Sequence, residues 1–314
     1  NPARAVAALA KGAFGSWRSA TETLVKATPL IFTGLAAALA FRARLWNIGA
    51  EGQVIAGAMM AYWLQHGLAG QPIALQIPVL LLGGILGGGL YAGLAGVLKT
   101  AFRVDEVIST VMLNYIIVFA LSMLLQQGPW SEAGGFFEQT AKVDPGSILP
   151  GLLPGSRLHL GFLLALLAAL AVWLLIARTP MGFEIRAAGQ NLRALQVQGM
   201  STTRIVLSVM VLSGLLAGLA GAVEVYGVQE RLKSGALAGL GYTGIIVAIL
   251  GQLRPFGVVA AAILFGAMVN GATFMQIKTG VPSALIYAVE AILLLFYLAG
   301  WAAAGLRLRR IGHA

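Results

Sequence analysis

Apolar residues arrive along the chain in repeated runs, at about 24–41, 53–65, 73–98, 107–127, 159–177, 205–225, 241–252, 256–276 and 283–301. Short stretches carrying most of the charge separate them. A helix needs about 20 apolar residues to cross about 30 Å of hydrocarbon, and a single soluble core does not call for that repetition. The pattern predicts an all-α, polytopic membrane helix bundle of about nine apolar segments. Two of them, 53–65 and 241–252, are too short to span alone and are expected as broken or re-entrant half-helices. The first twenty residues follow another rhythm. Arg4, Lys11 and Arg18 recur every seven positions, while Val6, Leu9, Phe14 and Trp17 occupy the other faces. That spacing predicts an amphipathic helix lying in the interface over 1–20, ahead of a membrane domain over 21–302 and a basic tail over 303–314. Gly83, Gly84, Gly87, Gly88, Gly89 and Gly93 in one run, and Gly214 with Gly218 in another, predict closely packed helices in preference to a hinge.

Composition agrees with the pattern. Apolar residues make up 59% of the 314 and charged ones 10%, against about 45–50% and about 25% in an average soluble domain. The surplus of ten positive charges would suggest nucleic acid in a soluble protein, but here the basic residues sit in short loops between apolar runs, where they set topology and meet anionic lipid. No nucleic-acid partner is expected. Arg42, Arg44, Lys99, Arg103, Arg178, Arg186, Arg193, Arg204, Arg254, Arg307, Arg309 and Arg310 fall on one side of the bundle. Between the spans on the other fall Lys142, Arg157, Arg231, Lys233 and Lys278. The richer side is cytoplasmic by the positive-inside rule, which puts the loop 178–204 inside and the loop 128–158 outside. Arg4, Lys11, Arg18 and Lys26 fall outside and spoil the pattern.

Much chemistry is excluded. There are no cysteines, hence no disulfides, thiolate metal sites or thiol nucleophiles. No Gly-Lys pair occurs, so the phosphate-cradling loop of an ATPase is missing. The histidines, His66, His159 and His313, stand apart near the ends of runs, where interfacial anchoring is expected. Nothing argues for an enzyme.

Two inner segments carry information. In Trp46-Asn47-Ile48-Gly49-Ala50-Glu51-Gly52-Gln53 an apolar run stops, two glycines permit unwound backbone, and a carboxylate and two amides open the next short run. Glu51 there either satisfies the dipole of the following helix or faces a solute pathway. In the stretch from Thr179 to Gly199, Asn191 is placed to cap a short helix through Leu192, Leu195 and Val197, which Gly199 ends. Such a helix is either a docking knob for a soluble partner or a piece lying on its own protein.

These segments also carry a resemblance. Asn47 to Gln53, Asp105 to Tyr115, Gly182 to Gly199, Gly241-Tyr242-Thr243-Gly244-Ile245 and Leu250-Gly251-Gln252 resemble the permease subunits of ABC importers in the branched-chain amino acid/ribose-type superfamily, best in its nucleoside and simple-sugar uptake branch. The resemblance covers nearly the whole chain. It implies a bacterial cytoplasmic (inner) membrane protein that translocates nucleosides, or related purines and simple sugars, by alternating access. It implies two ABC ATPase domains that bind ATP and magnesium, no cofactor held by this chain, a second related permease forming a heterodimer, and an extracytoplasmic solute-binding protein. It implies ATPase coupling through Arg186, Gly189, Asn191, Leu192, Arg193, Leu195 and Gly199, with Leu192 standing where many relatives carry proline. Members usually have one more N-terminal span, which leads to the expectation that this chain lacks it. For flat, hydroxyl-rich nucleosides a pathway should offer amides and aromatic faces, which makes Asn47, Glu51, Gln53, Asn114, Tyr115, Asn270, Gln276 and Tyr287 candidates. Glu290, a carboxylate inside a run, is a further candidate, expected to face protein or water and not lipid. The alternative reading is an ion-coupled secondary transporter of a small polar solute, which shares broken helices and intramembrane carboxylates.

Overall fold

A computed structural model describes residues 2–126 and 128–311. Its helices are α1 (Pro2–Phe14), α2 (Trp17–Arg42), α3 (Ala50–Gln65), α4 (Ile73–Phe102), α5 (Glu106–Gln126), α6 (Leu160–Arg178), α7 (Pro180–Gln190), α8 (Leu192–Val197), α9 (Thr202–Glu224), α10 (Leu240–Leu250), α11 (Pro255–Thr279) and α12 (Leu285–Ile311). Among the described residues there is no sheet, only two isolated bridges. Six helices are long and apolar enough to cross a membrane: α2, α4, α5, α6, α11 and α9 with its continuation to Gln229. α3 and α10 are short, as the apolar runs require, and the apolar part of α12, Leu285–Tyr297, is also short. Of the nine apolar segments expected, two of them as half-helices, six have the length to span among the described residues, so the number nine is not matched on length.

The amphipathic helix expected over 1–20 is two pieces. α1 ends at Phe14, and Ser16 then caps α2 by accepting from the Ser19 amide at 3.0 Å, so Arg18, Ser19, Thr21, Glu22 and Thr23 head a membrane helix. α1 itself packs on α11: a side chain on Gly12 would run into Phe274, and Gly271 sits on Leu9. Residues 303–311 continue α12 as helix, while the end of the predicted tail, 312–314 with His313, lies outside the described residues.

α2 is buried on nearly every face from Thr21 to Phe41, the signature of a bundle axis in place of a lipid-facing span. Around it, α4, α9 and α3 form a seam of small residues. Side chains on Gly218 would strike the carbonyl of Gly84 and the backbone of Gly88, and Gly57 and Gly221 make the same close approach between α3 and α9. Backbones this near gain dispersion contacts that larger residues would prevent. α5 and α6 lie at the rim and expose Ile108, Met112, Phe119, Leu163, Leu167 and Leu174.

The two ends of the bundle are distinct. At one end the 128–158 loop pairs with the segment after α9, through Thr140 N to Leu232 O and Val143 N to Glu230 O, both 2.9 Å. At the other, α7 is seated on the end of α2 where Gly189 meets the Arg42 carbonyl, and Arg42 Nε donates to Leu253 O at 2.8 Å.

Candidate functional site

α3 and α10 are short because each begins inside the bundle. The chain between α2 and α3 turns back into the bundle at the end that holds α7, and Gly239, in the left-handed region at φ 87°, turns the chain into α10 from the end closed by the 128–158 loop. Their amino ends meet: a side chain on Gly241 would strike the backbone of Glu51. Gly244 of α10 lies against Thr33 and Gly34 in the inner half of α2, which places the junction deep in the bundle. Two positive helix ends facing each other in low dielectric repel. Glu51 removes the conflict. It lies in the first turn of α3, and its carboxylate accepts from the amides of Gly239 and, at 2.8 Å, Gly241. The carboxylate caps the amino end of α10 from a place in the first turn of α3.

A net of amides surrounds it. Asn47 Nδ2 donates to Gln53 Oε1 at 3.1 Å and to Ser213 Oγ at 2.9 Å, and Asn47 Oδ1 accepts from Gln53 Nε2 and the Gly49 amide, both at 3.0 Å. Ser213 Oγ in turn donates to Ala36 O of α2 at 2.8 Å. From α5, Asn114 Oδ1 accepts from the Gly52 amide at 2.9 Å, while its Nδ2 donates to Ile48 O at 3.0 Å and to Tyr242 Oη at 3.3 Å. Asn47, Glu51, Gln53 and Asn114 are all buried, and their polar atoms are occupied by one another and by backbone. The unwound segments at 46–49 are thereby satisfied in a medium without water.

The net reaches the surface at Tyr242, which is 43% exposed and keeps its own hydroxyl proton to donate. Tyr115, one residue beyond Asn114 on α5, is exposed, as is Met112. The expected candidates therefore divide. Asn47, Glu51, Gln53 and Asn114 come together as a buried scaffold, and Tyr115 lies on the exposed face beside it. Asn270 sits elsewhere, donating to Gly12 O, Ser19 O and Thr23 Oγ1 and so tying α11 to the α1–α2 elbow. Gln276 holds the turn before α12 by accepting from the Ser283 amide at 3.0 Å. Tyr287 is exposed on α12, and Glu290 on the same helix is turned into protein. Sequence reasoning did not assign Ser213 or Tyr242 to the site. Tyr242 belongs to the Gly241-Tyr242-Thr243-Gly244-Ile245 stretch that resembles the permease family, and Ser213, a lone hydroxyl within an apolar run, carries no other signal.

The inner loop is a helix pair. Thr179 caps α7 by accepting from the Gly182 amide at 3.0 Å, with Pro180 in the first position. Asn191 then breaks the helix, its amide bonding Ala187 O and its Oδ1 accepting from Arg193 N at 3.0 Å. Gly199, at φ 78°, ends α8. Leu195 is buried against the protein, whereas Val197 is 89% exposed and Phe183 half exposed, with Arg186, Leu192 and Arg193 also on the surface. The unit therefore lies on its own protein, anchored through Gly189 and Leu195, and leaves an apolar tip exposed at Val197.

The sequence profile of the family described as the branched-chain amino acid transport system permease component matches residues 19–298. The chain is 40% identical to the guanosine ABC transporter permease protein NupP of Bacillus subtilis, over 94% of this chain and 85% of that protein. It is 34% identical to the glucose ABC transporter permease protein TsgB13 of Haloferax volcanii, over 88% and 75%. It is 32% identical to the nucleoside ABC transporter permease protein NupB of Lactococcus lactis, over 90% and 80%. No solved structure matches.

Proposed function

This chain belongs to the family of branched-chain amino acid transport system permease components, and from that premise we propose that it is the membrane-spanning subunit of an ATP-driven importer of nucleosides or related sugars. Relatives named for guanosine, nucleoside and glucose transport support the substrate class. The observation that carries the mechanism is the α7–α8 pair: a capped, anchored unit whose exposed tip, Val197, lies on the side rich in arginine. A secondary transporter has no use for such a tip. An importer driven by separate ATPases requires one, because force from nucleotide binding has to enter the bundle at a stiff point, and Gly189 passes it to the end of α2.

The solute path runs along the face where α5 and α10 expose Tyr115 and Tyr242. Flat aromatic surface with a free hydroxyl suits a nucleoside, neutral and rich in hydroxyls. Asn47, Glu51, Gln53 and Asn114 are positioning residues behind that face, and a second, related permease supplies the opposite wall. The 128–158 loop and the segment after α9 receive a loaded solute-binding protein. ATP and magnesium belong to the ATPase partners, no covalent step takes place in this chain, and its location is the bacterial cytoplasmic membrane.

The test is reconstitution in proteoliposomes. With ATPases, second permease and solute-binding protein present, guanosine uptake is expected to require ATP and to exceed glucose uptake. Uptake by this chain alone under a proton or sodium gradient overturns the proposal; ATP-driven uptake of glucose with none of guanosine reverses the substrate order. Tyr242→Phe is expected to lower uptake while leaving ATPase association intact.

A further inference from the structure

At the inner end, α2, α6, α7 and α11 enclose a cavity of about 430 Å³ lined by Arg42, Arg186 and Arg254 on one side and Trp173, Phe256 and Pro255 on the other. No carboxylate of the described residues lies within ion-pair distance of the three arginines. A fourth guanidinium, Arg178, stacks over the Trp173 ring at 5.9 Å, and Trp173 meets Phe256 with ring centroids 6.0 Å apart. The amino end of α11, headed by Pro255, adds its own positive potential. Guanidinium groups converging on one cavity repel one another unless an anion lies between them.

The other wall shows what that anion is attached to. Leu166 and Leu170, seven and three residues before Trp173, continue its face of α6 toward the middle of the bilayer, and both are exposed. On α11, Ala260 and Leu264, four and eight residues after Phe256, do the same. The cavity therefore has a cationic head at the level of an aromatic pair and apolar walls running inward from it. Phospholipids have the same order of parts, and basic pockets between membrane helices on the cytoplasmic side take anionic headgroups.

We propose that this cavity binds the phosphate of an anionic membrane lipid, with Arg42, Arg186 and Arg254 around the headgroup and the acyl chains along α6 and α11. A free anion shares the phosphate chemistry but makes no use of Leu166, Leu170, Ala260 or Leu264. Acidic side chains of an ATPase would reach the arginines from the inner face and leave those apolar walls uncovered. The site joins the coupling helix α7, through Arg186, to the foot of α2, and it does not depend on which solute is carried.

The test uses the full-length chain purified in detergent, with native mass spectrometry of retained dioleoylphosphatidylglycerol against dioleoylphosphatidylcholine. Phosphatidylglycerol is expected to be retained preferentially, and Arg254→Gln to lower its retention about fivefold, since one basic residue at an anionic surface is worth about 1 kcal/mol. Arg254→Glu is expected to lower it further. Arg204→Gln, on the same face outside the cavity, is expected to change nothing, and unaltered circular dichroism melts are expected to show that each variant is folded. Equal retention in wild type and Arg254→Glu overturns the proposal. So does displacement of the lipid by millimolar inorganic phosphate that stabilises the chain equally well, the signature of an adventitious ion only. Unchanged lipid retention with loss of ATPase association in Arg254→Glu assigns the arginines to the ATPase and also overturns it.

Discussion

At the outer end of the bundle Arg231 Nη1 reaches both oxygens of Glu132, at 3.0 and 2.9 Å, Lys142 lies 3.3 Å from Glu230, and Arg157 lies 3.4 Å from Glu22. At the inner end Lys99 pairs with Glu106, but Arg42, Arg44, Arg103, Arg178, Arg186, Arg193, Arg204 and Arg254 meet no carboxylate among the described residues. The outer charges close a long loop onto the segment that follows α9, with backbone bonds at Thr140, Val143 and Leu149 completing the seal. The inner arginines have no carboxylate of this chain within ion-pair distance among the described residues. One end is tied down by ion pairs and backbone bonds of its own, and the other presents arginines without such partners.

The contrast breaks most visibly at Val197. Val197→Glu places a charge at an exposed apolar tip, so ATP-driven uptake in the reconstituted importer is expected to fall about tenfold or more, as at an interface hot spot. Melting of the isolated chain is expected to move by no more than about 0.5 kcal/mol, because the side chain is almost fully exposed. If stability falls with uptake, the inner end is as self-contained as the outer.

Thr140→Val makes the complementary cut. Thr140 is fully buried, and its Oγ1 accepts from the Leu232 amide at 3.1 Å. Valine keeps the shape and leaves that amide unpaired, at a cost of about 1–3 kcal/mol, read as a lower denaturation midpoint of the chain alone. A midpoint within error of wild type would mean that the outer loop is not sealed where the bonds place it.

A smaller effect with a pH signature is expected from Arg231→Gln. Hydrogen bonding from Gln139, with Arg231 beside it, holds the Glu132 carboxyl below its usual range. A carboxylate with a lowered folded-state pKa stabilises the fold above its unfolded pKa, and that contribution fades as the pH falls through the folded value. The variant should therefore melt below wild type at neutral pH, and the gap should close in acid. A gap that persists unchanged in acid assigns the loss to packing. The smallest effect is expected from Lys142→Ala: both partners of that pair are exposed, and the change should stay within about 0.5 kcal/mol in thermal denaturation.

Much of the fold was legible in the runs of apolar residues. The short segments 53–65 and 241–252 are α3 and α10, because a run's length limits how far it reaches through hydrocarbon. Boundaries escaped where polar residues belong to a membrane helix, as at 17–23 of α2, or where a cap sits inside a loop, as Thr179-Pro180 does before α7. Asn47, Glu51 and Gln53 were readable together because seven consecutive residues contain them. The partners of that stretch, Asn114, Ser213 and Tyr242, come from three other helices. Asn270 and Gln276 look like Asn114 in sequence, each an amide within an apolar run, yet the bundle spends them on the α1–α2 elbow and on the turn before α12.

The order of residues along the chain was enough to set the bundle, the two short helices and the capped helix before Gly199, because hydrocarbon thickness and backbone hydrogen bonding act locally along the chain. Packing between distant helices settled which polar groups bond one another and which stay available. In a medium without water each buried amide takes whatever partner packing sets against it. Glu51, in the first turn of α3, became the cap of α10, and Tyr242 the exposed end of the net, because α3 and α10 meet amino end to amino end.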